Sequence, residues 1–71
     1  MNTDLSRELL TRLSELRTQC PDMRFGQMIA TLEILAEDTV GRSWWEIEDE
    51  EFLTVLDRFR RDLTRREQGV A

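Results

Sequence analysis

The chain has 71 residues, 39% of them hydrophobic, which suffices for one domain with one core but not for a core that encloses a deep cavity. Its net charge of −5 opposes binding to nucleic-acid phosphates, because proteins bind those phosphates mainly through basic side chains. Charged residues make up 35% of the sequence and interrupt every apolar stretch, so we expect no interaction with a membrane.

The residue types in the sequence exclude most catalytic and metal-binding chemistry. Histidine, the commonest general base and metal ligand, is absent, and a single cysteine allows neither an internal disulfide nor a multi-cysteine metal site. Cys20 has no neighbouring base to hold it as a thiolate, so we interpret it as a half-buried small side chain. We therefore predict no catalytic residue, no cofactor and no metal. The first residues show no basic segment followed by an apolar run, so we expect a cytoplasmic protein.

The first predicted helix covers residues 4–19. Leucines recur there every three or four positions and form one apolar stripe, made of Leu5, Leu9, Leu13 and Leu16 with Leu10 alongside. Charged residues occupy the positions between the leucines. Because a proline disfavours the helical conformation in the residue before it, we expect this helix to end before Pro21.

A second helix is predicted over residues 23–38, with Asp22 as its N-cap. Its apolar positions again follow a spacing of three and four residues: Phe25, Met28, Ile29, Leu32, Leu35 and Ala36. Gly26 in the first turn costs up to about 1 kcal/mol relative to alanine, which we interpret as a sign that another part of the chain approaches closely. Gly41 suits a left-handed C-terminal cap.

A third helix is predicted over residues 48–67, with an acidic start and an arginine-rich end that the helix dipole favours. Its apolar face consists of Phe52, Leu53, Leu56, Phe59 and Leu63. Ser43 and Glu46 have the form of a capping box, which predicts a short turn before this helix, and residues 68–71 should fray. The three segments predict a single all-α domain over residues 1–71, either a small three-helix bundle or an open three-helix array.

Trp44 and Trp45 stand together in the second connection. Adjacent residues rarely point the same way, so we expect one tryptophan to be buried and the other to be partly exposed. Tryptophan is enriched among the residues that dominate the energy of protein interfaces, which makes the pair a candidate contact surface. The alternative, in which both side chains only plug the open end of the bundle, stays open.

Two further groups of residues have functional alternatives. The acidic run from Glu46 to Glu51 offers oxygen ligands that suit Mg²⁺ or Ca²⁺, but it lacks the calcium-loop pattern, and a helix start favours acidic residues in any case. Arg24 and Gln27, near the start of the second helix, resemble the polar residues of a helix-turn-helix recognition helix. The acidic balance of the chain opposes this nucleic-acid-binding alternative.

Two segments, PDMRFGQMI at 21–29 and WEIEDEEF at 45–52, resemble a set of small bacterial proteins. In that set, a proline-aspartate-x-arginine-(phenylalanine or leucine)-glycine-glutamine segment precedes a tryptophan-x-x-glutamate-aspartate-glutamate segment. An aromatic residue often stands where this chain has Met23. The resemblance implies a bacterial origin and a helical fold, and it transfers no activity and no site. It also suggests that the two segments act as one unit, with Arg24 meeting a carboxylate between Glu48 and Glu51.

The sequence thus favours a non-catalytic interaction or regulatory protein that binds another protein or a second copy of itself. The predicted partner surface combines the start of the second helix, the tryptophan pair and the start of the third helix. Its residues are Arg24, Gln27, Trp44, Trp45, Glu48 and Asp49. The alternative is a nucleic-acid-binding regulator that uses the start of the second helix.

Overall fold

The computed structural model describes residues 3–68, and the side chains of residues 4–65. This range contains three helices joined by two connections. The helices are α1 (Thr3–Gln19), α2 (Phe25–Val40) and α3 (Asp49–Gln68). This arrangement confirms the predicted all-α fold, and each helix begins and ends within two residues of its predicted bounds. The predicted frayed tail lies outside the described residues except for Gln68, with which α3 ends. Over the described range, no helix combines the length and the apolar character that a membrane crossing requires.

Helix α3 supplies the surface on which both other helices pack. It packs against α1 and against α2, whereas α1 and α2 make much weaker contact with each other. The core is a single cluster of buried side chains from all three helices and the first connection: Leu16, Cys20, Met28, Leu32, Ala36, Val55, Leu56, Phe59 and Leu63. The apolar stripes predicted from the leucine and phenylalanine spacing therefore meet along one face of α3.

The first connection, residues 20–24, is held closed by an arginine from the end of α1. The Arg17 Nη1 atom donates hydrogen bonds to the carbonyl oxygens of Met23 at 2.6 Å and Cys20 at 3.3 Å. The Cys20 thiol donates to the Leu16 carbonyl at 3.0 Å and is more deeply buried than the sequence predicted, with 8% of the residue exposed. Helix α1 ends at Gln19, before Pro21, as predicted.

The two ends of α2 differ in how well the sequence predicted them. Its N-cap is Arg24 rather than Asp22, and the Gln27 side chain accepts a hydrogen bond from the Arg24 backbone N–H at 2.9 Å. Gly41 caps the other end in the left-handed region with φ 81°, and its N–H donates to the Glu37 carbonyl at 2.9 Å, as predicted. The interpretation of Gly26 was wrong, because a Cβ atom built there would meet nothing within 4 Å.

The second connection begins with the predicted short turn. The Glu46 N–H donates to the Ser43 carbonyl at 2.8 Å, and the Ser43 hydroxyl accepts from the Trp45 N–H at 3.3 Å. The side-chain cap of α3 comes from a different pair, because the Glu51 carboxylate accepts the Glu48 N–H at 2.9 Å. Glu51 also pairs with Arg42, which ties the start of the connection to the first turn of α3.

Partly exposed arginine–aspartate pairs tie the two outer helices to α3. Arg12 of α1 donates to Asp57 at 2.6 Å. Arg58 of α3 forms an ion pair with the Asp38 carboxylate at 2.7 Å and donates a hydrogen bond to the Thr39 hydroxyl at 2.8 Å, both at the end of α2. Exposed pairs of this kind contribute only about 0.2–1 kcal/mol each, so they orient helices whose association depends on the apolar core.

Leu32 and Ile34 of α2 provide a matched test of this packing. Leu32 is 1% exposed in the core, whereas Ile34 is 67% exposed on the other side of the same helix. We expect Leu32→Ala to lower the free energy of unfolding by about 2–5 kcal/mol through the cavity it leaves. Ile34→Ala should change it by less than about 0.5 kcal/mol. Urea unfolding followed by circular dichroism measures both, and equal losses would contradict the packing of α2.

Alanine substitutions at Gly26 of α2 and at its C-cap Gly41 should change the free energy of unfolding in opposite directions. At Gly26 the helical backbone accepts a side chain and there is open space for it, so Gly26→Ala should raise the free energy of unfolding by about 0.5 kcal/mol. At Gly41 the positive φ disfavours any side chain, so Gly41→Ala should lower it by about 1–2 kcal/mol. Thermal melting of both variants compares them directly, and shifts of the same sign would refute this account of the cap.

Candidate functional site

An apolar groove opens between α1 and α2 because these two helices pack on α3 rather than on each other. It encloses about 250 Å³. Phe52 and Leu56 of α3 lie at its base, and its remaining lining consists of Leu9, Leu10, Leu13, Ile29, Leu32, Trp44 and Asp49. The lining is thus apolar apart from one carboxylate.

Side chains at the edges of the groove leave large apolar areas open to solvent. Leu10 lines the groove and is 69% exposed. Phe25, one helical turn before the lining residue Ile29, is 53% exposed. The core side chains beneath them, such as Leu56 at 2% exposure, are already covered. The exposed apolar surface is therefore additional to what the fold needs for its own core.

The two tryptophans differ in exposure, as predicted, but each is more exposed than the sequence predicted. Trp44 is half-buried, lines the groove and packs on Phe52 with ring centroids 6.4 Å apart and a tilt of 31°. Trp45 is 88% exposed and is the most exposed large apolar side chain in the described part of the chain. Trp44 thus joins the second connection to the groove, while Trp45 projects beyond it.

The groove brings together part of the predicted partner surface, and the rest of that surface stays a prediction. Trp44 and Asp49 line the groove with Ile29, which follows Gln27 by two residues along α2. Arg24 and Gln27 are exposed at the start of α2 and do not belong to the lining.

The structure contradicts the predicted pairing of Arg24 with a carboxylate at the start of α3. Arg24 makes no ion pair with any residue in the described range, and Glu51 pairs with Arg42 instead. The Gln27 side chain caps α2 and has a structural role. Of the six predicted surface residues, Trp44 and Asp49 line the groove, and Trp45 and Glu48 are exposed next to them in sequence.

The acidic start of α3 does not assemble a cation site among the described residues. Glu46, Glu48, Asp49 and Glu50 are all exposed, and no group of three or more potential ligands from residues 3–68 converges on one point. Carboxylates that point into solvent at a helix start interact favourably with the helix dipole. Their arrangement therefore fits an electrostatic role at the surface.

Sequence reasoning missed the α1 and α2 walls of the groove. Leu9, Leu13 and Ile29 were assigned to core stripes, since their spacing is that of a buried helix face. The available signal was Leu10, which lies beside the α1 stripe and widens it. A helix with an apolar face wider than one partner can cover retains surface for a second contact.

Comparisons of the chain with protein-family models, with curated proteins and with solved structures find no match. The resemblance to a set of bacterial proteins stays a prediction. The groove and the charges around it are accordingly the features from which a function can be inferred.

Single-tryptophan variants should separate the two environments by fluorescence. Trp44→Phe leaves only the exposed Trp45, whose emission should lie at the long wavelength of hydrated indole and be quenched readily by acrylamide. Trp45→Phe leaves Trp44 against Phe52, so its emission should lie at shorter wavelength and be quenched less. Equal quenching of the two variants would contradict the position of Trp44 in the groove.

Proposed function

We propose that this chain is a non-catalytic interaction module that binds another protein through the groove between α1 and α2. The observation that carries the proposal is the exposure of Leu10, a residue of the groove lining, at 69%. Phe25, one helical turn before the lining residue Ile29, adds a second apolar side chain that is 53% exposed. An apolar patch with polar residues at its rim is typical of a protein interaction site. Trp44 at one part of this lining is the residue type that most often dominates binding energy.

The composition of the groove favours a protein ligand over a small molecule. Small-molecule sites usually bury most of their ligand and orient it with several convergent polar groups. This groove is a shallow channel of about 250 Å³ that offers only the Asp49 carboxylate for such contacts. An apolar protein segment needs few directed hydrogen bonds and can cover the exposed edges as well as the channel.

The same lining supports a non-catalytic role. Enzyme sites usually combine several positioned polar groups, whereas Asp49 is the single titratable side chain that lines the groove and it is exposed. The nucleic-acid alternative is opposed by exposed carboxylates along α2, namely Glu33, Glu37 and Asp38.

The proposed location of the protein is the bacterial cytoplasm. The buried, unpaired Cys20 fits a reducing compartment of this kind.

Binding should also stabilise the module. A domain of this length retains only about 3–5 kcal/mol of stability, and a partner that binds the folded state adds to it. Covering Leu10 and Phe25 would remove from water apolar surface that the isolated domain leaves exposed. Partner binding and folding are therefore expected to support each other.

Two exposed aliphatic residues test the proposal by affinity capture from a lysate of the source organism. Leu10→Glu places a charge on the groove, whereas Ile34→Glu makes the same change at an equally exposed position on the opposite side of α2. We expect a protein retained by the wild type and by Ile34→Glu to be lost with Leu10→Glu. Circular dichroism verifies that both variants remain helical.

Retention of that protein by Leu10→Glu would overturn the groove as its binding site. Loss with both variants would show that capture depends on overall charge rather than on the groove. Sedimentation equilibrium of the purified chain measures its oligomeric state and so tests whether the partner is a second copy. A dimer that Leu10→Glu dissociates and Ile34→Glu does not would make the partner another copy.

A further inference from the structure

We infer that the occupant of the groove is an amphipathic helix of another protein, with aliphatic residues on one face and lysine or arginine along its flanks. The inference rests on the proposed function and specifies the chemistry of the partner. It follows from the shape of the groove, from the unpaired carboxylates along its edges and from the charges around the exposed apolar residues of this chain.

The shape of the groove suits a helix. Helices α1 and α2 both pack on α3 and make few backbone contacts with each other, so a fourth helix laid in the groove between them would contact both. Such a helix would complete a four-helix arrangement. Aliphatic residues spaced three and four positions apart on such a helix would meet Leu10, Ile29 and Phe52. An extended strand gains no comparable fit, because no sheet edge is present in the described residues to pair with it.

Carboxylates line the α2 edge and the α3 start beside the groove. Glu33 follows the lining residue Leu32 and stands one turn beyond Ile29, and Glu37 stands one turn further along. Asp49 lines the groove itself. All three acidic residues are exposed, and none forms an ion pair with another described residue.

Four arginines near these edges are engaged elsewhere. Arg42 pairs with Glu51, and Arg17 donates to the carbonyl oxygens of the first connection. Arg12 and Arg58 pair with aspartates on neighbouring helices. Arg24 at the start of α2 and Arg7 on α1 form no ion pair within the described range. The α2 edge between Ile29 and Glu37 thus presents uncompensated negative charge, which complements basic flanks on a docked helix.

Two exposed apolar residues of this chain have neighbouring charges that oppose their insertion into the groove of a second copy. A symmetric contact through Leu10 and Phe25, which stand near Arg7 and Arg24, is tested separately by the sedimentation measurement above. Outside the groove and its edge, the large exposed apolar residues of the described range are Ile34 and Trp45. Ile34 lies among Glu33, Glu37 and Asp38, and Trp45 precedes Glu46 and Glu48. Inserting either residue would bring carboxylates against the acidic edge. The exposed arginines Arg60, Arg61 and Arg65 accompany no exposed large apolar residue.

Synthetic peptides test the charge and the shape of the occupant together. The probe is a labelled helical peptide of about 18 residues with leucines at positions i, i+3, i+4 and i+7 and with lysine on both flanks. The matched probe replaces every lysine by glutamate. We expect fluorescence anisotropy to show about tenfold tighter binding of the lysine peptide at low salt. The difference should shrink as salt is added.

Two triple variants separate local charge from net charge. Glu33→Gln/Glu37→Gln/Asp49→Asn removes the acidic edge, and Asp4→Asn/Glu15→Gln/Asp22→Asn removes the same charge from exposed sites elsewhere. We expect the first to weaken lysine-peptide binding about tenfold and the second by less than about twofold. Leu10→Glu should reduce binding of a neutral serine-flanked peptide of the same leucine pattern, and Ile34→Glu should not.

Three outcomes would overturn the inference. Equal affinities of the lysine and glutamate peptides, both lost with Leu10→Glu, would leave the groove as a docking site without a preference for basic helices. Equal weakening by the two triple variants would assign the effect to net charge. Peptide binding that is insensitive to Leu10→Glu would reject the helix as occupant, while lysate capture that still depends on Leu10 would leave the proposed function intact.

Discussion

The packing of two helices on one face of a third determines every other feature of this molecule. Val55, Leu56, Phe59 and Leu63 give α3 an apolar face that contacts both α1 and α2. Two helices that share one supporting helix need not touch each other, so their facing sides remain open. The groove is the direct consequence, and its base is formed by Leu56 of this apolar face together with Phe52.

The distribution of arginines decides where negative charge remains. Arg12, Arg42 and Arg58 pair with carboxylates of other helices or turns, and Arg17 closes the first connection through backbone carbonyls. Each exposed pair is worth little energetically, but together the pairs compensate several carboxylates, among them Asp38 on α2 and Glu51 in the first turn of α3. Glu33, Glu37 and Asp49 keep no such partner among the described residues, so the net negative charge is unevenly distributed over the surface.

In the proposed function, exposed apolar side chains next to uncompensated charge would supply both affinity and selectivity for a partner. Burial of Leu10 and Phe25 would supply most of the binding energy, since apolar area removed from water is the main driving force of association. Charges at the rim contribute more to the choice and orientation of a partner and to the rate of encounter than to affinity. A small domain with a modest core has the further property that its folded state is sensitive to whatever binds it.

The sequence by itself determined the number, type and approximate bounds of the helices, the Gly41 cap and the contrasting environments of the two tryptophans. These properties depend on residues close together in the chain, where periodicity, capping and turn chemistry act locally. Only the tertiary structure decided that Glu51 pairs with Arg42 and not with Arg24, that Asp57 meets Arg12, and that Leu9 and Ile29 line a groove. Those relations depend on how far each helix extends and on which side of α3 it packs, and no local pattern encodes the angle and separation of two helices that meet a third.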